Sequence, residues 1–266
     1  MPTPEISSNE AAWDLASQKY AVEDEFARDV ELLMNGGTTL MPVEIEELGD
    51  LSGVDCAVHL CCSHGSDVLS LLNHGVTKVV GIDISNEMLA LARRKTAALE
   101  ANASWIHAEV LEPQPSLTGN ADLVYTGRGG LPWVRNLNVW AARVADLLRT
   151  GGRLYVFEGH PLNWVWARDT QQWQVTGDYF ERTARANQDF PAMAVEQFAE
   201  HGAERPKAYE WQWTLGDVVS AVAGAGLRIE FLHEHAFNFW PLFDELDKEQ
   251  GGKVPQSFSL MAIKAQ

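Results

Sequence analysis

From Cys56 to Phe157 the chain alternates short apolar runs with segments whose apolar residues recur at helical spacing, and this alternation restricts the fold more than any other feature. The runs are Ala57-Val58-His59-Leu60, Lys78-Val79-Val80-Gly81-Ile82-Asp83, Ser104-Trp105-Ile106-His107, Asp122-Leu123-Val124-Tyr125 and Arg153-Leu154-Tyr155-Val156-Phe157. Each has strand length and is bounded by turn or helix signals. Between them, Val68, Leu69, Leu71 and Leu72, then Met88, Leu89 and Leu91, then Trp140, Val144, Leu147 and Leu148 mark helices. Ser85 is placed to cap the second of these, and Thr150-Gly151-Gly152 to end the third. Strand and helix in repetition build a parallel sheet with helices on both faces. Right-handed crossovers put the strands' carboxyl ends on one edge, where ligands bind.

Outside this block the pattern changes. Trp13, Leu15, Tyr20, Val22, Phe26, Val30 and Leu33 make the first fifty residues read as helical, with a break at Asn35-Gly36-Gly37. After the fifth strand the rhythm lapses from His160 to Tyr209, a stretch holding Trp164, Trp166, Trp173, Tyr179, Phe180 and Phe190. Leu215, Val218, Val219 and Val222 resume a helix, followed by strands at Leu227–Leu232 and Phe258–Ile263. The loop between those two strands, about twenty residues, is too short for a crossover helix with its turns, so they pair antiparallel.

Lys and Arg total 20 against 37 Asp and Glu, a net charge of −17. Such a surface repels phosphate backbones and anionic lipid heads, which argues against nucleic acid and membranes as partners. No apolar run spans a bilayer, and Met1 to Glu10 lacks the basic and apolar regions of a secretion signal. Cys56, Cys61 and Cys62 form no disulfide framework, so a reducing cytoplasm is expected. His59 and His64 flank the cysteines and raise the possibility of a metal. A Cys-Cys pair at a strand end rarely ligates one ion cleanly, and no metal is expected.

The first strand runs into a turn of small residues, Cys61-Cys62-Ser63-His64-Gly65, and the second ends in Asp83, about twenty residues further on. An adenosyl group needs backbone close to it and a carboxylate for its ribose hydroxyls, and this spacing offers both. The same turn also suits any α/β protein. Glu109 is expected to end the third strand, where a carboxylate can accept from an adenine amino group, and Val110 after it can offer its N–H to the ring.

With these residues in order, the chain resembles the class I S-adenosylmethionine-dependent methyltransferases, in particular a bacterial small-molecule branch with a variant glycine-rich motif. The family's first motif reads V-L-D-L-G-C-G-T-G. Ala57-Val58-His59-Leu60-Cys61-Cys62-Ser63-His64-Gly65 occupies those positions, with His59 for the acid and Cys61 and Ser63 for the first two glycines. The resemblance implies an α/β, Rossmann-like, mostly parallel seven-stranded sheet with the last strand antiparallel. It implies S-adenosylmethionine as cofactor, S-adenosylhomocysteine as product, and methyl transfer to an O, N or C atom of a small-molecule acceptor. It places the ribose on Asp83, the adenine against Ile84 and Met88, and the adenine amino group on Glu109. The fourth-strand motif matches Asp122-Leu123-Val124-Tyr125-Thr126, which brings Thr126 to the site.

We expect one domain over 1–266, a helical lid over 1–50 and an aromatic-rich cap over 160–209. Trp13 and Tyr20, about two turns apart on one helix, either close over the cofactor or pack on the core. The cap either binds the acceptor or forms a small satellite core, and its place after the fifth strand favours the acceptor. His160 and His235, beyond the fifth and sixth strands, are the candidates for a general base. Transfer by in-line displacement can also proceed on positioning alone. Two other functions fit the class: a nicotinamide oxidoreductase, opposed by the absence of G-x-G-x-x-G, and a non-catalytic S-adenosylmethionine-binding protein.

Overall fold

A computed structural model describes residues 3–167, 173–187, 206–240 and 252–265. Three helices come first: α1 (Pro4–Tyr20), α2 (Glu23–Met34) and α3 (Pro42–Leu48). The alternating block follows as β1 (Cys56–Leu60), α4 (Ser66–Asn73), β2 (Lys78–Asp83), α5 (Asn86–Leu99), β3 (Ala103–His107), β4 (Ala121–Gly127), α6 (Leu137–Leu147) and β5 (Leu148–Gly159). Two short strands, β6 (Arg185–Asn187) and β7 (Ala208–Glu210), form a separate ribbon. The chain then gives α7 (Leu215–Gly224), β8 (Leu227–His235) and β9 (Ser257–Lys264).

The main sheet has seven strands in the order β3-β2-β1-β4-β5-β9-β8. All neighbouring pairs are parallel except those of β9, which runs antiparallel to both β5 and β8. This is the Rossmann-like sheet expected from the sequence. The strand order reverses between β1 and β4, and such switch points open a crevice above the strand ends.

Burial explains why the strands were readable. β1 and β4 lie inside the sheet and every residue in them is buried, so they appear as continuous apolar runs. β8, at one edge, buries Leu227 and then largely alternates between exposed and half-buried. Val58, Leu60, Val124 and Val156 face α6 and α7 across one core, while Ala57, Leu123, Tyr125 and Tyr155 face α3 and α4 across the other. Thr150-Gly151-Gly152 does not end a helix: α6 stops at Leu147 and these residues lie within β5, where the pairing with β4 shifts register between Ala121 and Leu123. Glu109 lies two residues past the end of β3.

Among the described residues no helix is long and apolar enough to cross a membrane. Parts of the stretch expected to form a cap, 168–172 and 188–205 with Phe190, lie outside the described residues.

Trp140 is fully buried between α6 and the sheet, and its indole N–H has no protein partner. The side chain therefore acts through apolar volume. Trp140→Ala should cost about 3–5 kcal/mol by urea unfolding, and Trp140→Phe much less, since only the larger truncation opens a cavity. Equal losses in the two variants would mean that the indole N–H matters after all.

Candidate cofactor and acceptor site

The turn after β1 takes a conformation that glycine adopts freely. φ is +59° at Cys61, +49° at Ser63 and +82° at Gly65. These are the three positions where the methyltransferase motif carries glycine. For a non-glycine residue this region costs roughly 1–2 kcal/mol, so the turn keeps its shape against local preference at two positions. At Gly65 a side chain is also excluded by space: a Cβ there would run into the Trp105 ring and lie 2.9 Å from the Ala92 Cβ.

Asp83 holds this turn in place. One carboxylate oxygen accepts from the Ser63 N–H at 2.7 Å and the other from the Ser85 N–H at 2.9 Å. Burial pushes its pKa up to about 6, and the backbone donors of Ser85 and Ser63 pull the other way. Each oxygen has a second lone pair, so two ribose hydroxyls can still be accepted. Met88 is fully buried next to this carboxylate's turn, with the Ser63 hydroxyl 3.6 Å from its sulfur. Ser85 caps α5 by accepting from the Met88 N–H.

Helix α1 lies over this region. Trp13, Tyr20 and Ala16 pack around Met88, and Asp14 accepts from the Ser85 hydroxyl at 2.6 Å. Tyr20 also stacks on His64 at 4.3 Å between ring centres. Helix α2 is tied down by a buried cation: Lys95 Nζ donates to Asp29 at 2.6 Å, Ser66 Oγ at 2.6 Å and His64 Nδ1 at 2.8 Å. His64 therefore accepts through Nδ1. Burial and the neighbouring lysine hold its pKa down to about 3, so the ring is neutral.

The remaining expected residues are spread more widely. Glu109 is paired with Arg135 at 2.9 Å, and Val110 is buried beside it. Thr126 is buried at the end of β4, its hydroxyl without a protein partner. His59 is buried on β1 with both ring nitrogens unpartnered, edge-on to Tyr125 at 4.6 Å. Burial lowers its pKa to about 4. The thiols of Cys61 and Cys62 are pushed up by burial. Among the described residues no group of three or more His, Cys, Asp or Glu is arranged to hold a metal ion.

The two candidate bases stand apart from the turn. His160 Nδ1 accepts from the Leu162 N–H at 3.1 Å, which leaves the proton on Nε2, 2.9 Å from Glu234. His235 lies on β8, four strand spacings from β1, about 19 Å at the usual sheet spacing. Its Nε2 is 3.0 Å from Ser259 Oγ.

Two groups at the site, Arg128 and Glu44, were not picked out from the sequence, whereas Glu158 stood out with His160 as a residue following the fifth strand. Arg128, at φ +45° just past β4, is ion-paired to Asp67 and lies 3.8 Å from Glu44. Glu44 in turn accepts from the Tyr125 hydroxyl at 2.5 Å, and burial pushes its pKa up to about 7. Glu158, at the end of β5, accepts backbone N–H from Gly129 at 2.6 Å, Leu131 at 2.9 Å and Gly159 at 2.9 Å, and so shapes the loop after β4. A lone arginine inside Gly127-Arg128-Gly129-Gly130 was the one available sequence signal.

A glycine-type turn, a carboxylate with free lone pairs and buried apolar surface thus lie together after the first two strands of a Rossmann-like sheet. Residues 57–152 match the family model described as a methyltransferase domain. Over these residues the chain carries a methyltransferase domain, in a fold shared with solved S-adenosylmethionine-dependent methyltransferases. None of the curated proteins matches the sequence. Among solved structures, an S-adenosylmethionine-dependent methyltransferase from Mesorhizobium loti is similar at a TM-score of 0.62 and 20% identity, over 84% of this chain and 96% of that one. A geranyl diphosphate C-methyltransferase from Streptomyces coelicolor A3(2), in complex with S-adenosyl-L-homocysteine among other ligands, is similar at 0.59 and 13%, over 99% of both chains.

Ser63→Gly relieves a left-handed side chain, which offsets glycine's entropic penalty of about 0.5–1 kcal/mol, so its melting temperature should equal or exceed that of the wild type. Gly65→Ala should melt several degrees lower, and a wild-type-like melt for it would refute the described turn.

Proposed function

We propose that this enzyme binds its cofactor with the ribose on Asp83 and methylates an O, N or C atom of a small apolar or aromatic molecule held beneath 160–209. The observation that carries the acceptor class is how the chain just past the aromatic segment, between β7 and α7, is built onto the loop after β4. The Trp211 N–H donates to the Pro132 carbonyl at 2.8 Å, and Trp213 Nε1 to the Val134 carbonyl at 2.9 Å. Trp133, between those two carbonyls, meets Trp13 edge-on at 5.1 Å. Helix α1, the chain following β7 and the loop after β4 thus adjoin, and their indole rings offer large flat contact.

S-adenosylmethionine supplies an electrophilic methyl on a sulfonium, open to in-line displacement. What the chain adds is orientation and exclusion of water. His160 has one nitrogen committed to Leu162 and the other facing Glu234, and His235 faces Ser259, so we rank positioning ahead of a general base. The Streptomyces protein is named for geranyl diphosphate. We rank an uncharged acceptor first for this chain: Arg182 is paired with Asp217 and Arg185 with Glu181, in a protein of net charge −17. Three free cysteines accord with a reducing cytoplasm.

Calorimetry with S-adenosylhomocysteine tests the cofactor half. Asp83→Ala should bind at least about tenfold more weakly, as expected for lost hydrogen bonds to a charged group. Only the ionised carboxylate accepts from both hydroxyls, and its pKa is about 6. Affinity should therefore be full above that pH and fall about tenfold per unit below it, and Asp83→Asn should flatten this dependence. An unchanged affinity in Asp83→Ala would place the ribose elsewhere.

A screen of small phenols, amines and acids for S-adenosylhomocysteine release tests the acceptor half. With an acceptor in hand, Trp164→Ala combined with Trp166→Ala should impair turnover or acceptor affinity and leave cofactor affinity within about threefold, because aromatic contact area serves the acceptor. Normal turnover by a folded double variant would remove these tryptophans from the pocket.

A further inference from the structure

Helix α1 touches two sides of the site through residues only five positions apart. On the cofactor side, Asp14 Oδ1 accepts from Ser85 Oγ at 2.6 Å and from the Glu87 N–H at 3.2 Å, immediately beyond Asp83. On the other side lies Asn9, which is buried. Its Nδ2 donates to the Tyr209 carbonyl at 2.9 Å, and its Oδ1 accepts from the Tyr209 N–H at 2.6 Å. Ser8 Oγ adds a bond to the Lys207 carbonyl at 2.6 Å.

The Asn9 amide takes the place of a neighbouring strand. Tyr209 lies opposite Ala186 in the β6–β7 ribbon. In an antiparallel pair, alternate residues turn both backbone groups away from the partner strand. Those two groups of Tyr209 are the ones Asn9 satisfies. A buried amide that meets both backbone groups of one residue fixes direction as well as distance, and an unmatched group there would cost the full desolvation penalty. One helical segment thus joins β7 with the capped start of α5.

We propose that Asn9 is a positioning residue that transmits the seating of α1 over the cofactor to β7, so that cofactor binding shapes the acceptor side of the site. This rests on the reading that 160–209 covers the acceptor. Closing α1 on a bound adenosyl group fixes Asp14 and Trp13, and Asn9 then holds β7 in register with them. By linkage, whatever orders β7 also strengthens cofactor binding by the same factor.

Hydrogen exchange with S-adenosylhomocysteine as probe tests this without an acceptor. In the wild type, saturating ligand should slow exchange across 206–213, Trp211 N–H included, by at least about threefold, as expected when a local opening is suppressed. In Asn9→Ala that ligand-induced slowing should vanish while calorimetric affinity stays within about threefold and α5 is still protected. Asn9→Asp keeps the acceptor for the Tyr209 N–H and loses the donor to its carbonyl, so it should show an intermediate effect and guards against misfolding of the alanine variant. Slowing confined to α1 and α5 in the wild type, or slowing at 206–213 that survives in both variants, overturns the proposal. Acceptor turnover by the Trp164 and Trp166 variants is measured separately, so the cap reading and the Asn9 linkage can fail independently.

Discussion

The Asp83 carboxylate holds two turns together beside the site. Through Ser63 it fixes the turn after β1, and through Ser85 the start of α5. It does so buried and without a hydrogen-bonded cation, using backbone dipoles in place of a counter-ion. Two side chains in that first turn occupy left-handed space at Cys61 and Ser63. The conformation persists because the acceptor on β2 and the indole of Trp105 against Gly65 determine it from outside. The degenerate glycines therefore change the energy of the turn and preserve its path.

Much of this was legible in the sequence, for a physical reason. Strands β1 and β4 are covered on both faces, so their apolar runs stood out; the spacing from Gly65 to Asp83 is set by one helix and one strand. The misreading at Thr150-Gly151-Gly152 is equally physical: turn residues also serve an irregular strand start, and composition does not separate the two. What could not be read are contacts across long separations without period. Lys95 finds Asp29 from 66 positions away, Arg128 finds Asp67 from 61, and Asn9 finds Tyr209 from 200. Each depends on where whole elements pack.

Those hidden contacts concentrate on the N-terminal helices. α2 is held by a buried ammonium with three partners, an arrangement in which removing one partner leaves a charge uncompensated. α1 is held by Asp14, by packing on Met88 and by the Asn9 amide. The two helices are thus fastened differently. α2 is locked to the turn after β1 by charge, whereas α1 is held by the Asn9 amide, by Glu10 on His107 and by Asp14 acting on hydroxyl and N–H donors.

The exchange of an acid for His59 in the first motif fits the same electrostatic logic. The ring is buried and neutral, with Asp67 and Arg128 acting on it. A carboxylate at position 59 would add a third acid to Glu44 and Asp67, which already share one guanidinium. Burial holds Glu44 near the point of protonation even with that arginine present. A further buried charge would have to be neutralised by proton uptake or would push these groups apart. With Asp67 on the first turn of α4 and Arg128 after β4, the negative charge usual in the β1 motif is carried by the neighbouring helix, and a neutral imidazole fills the strand position without adding to it.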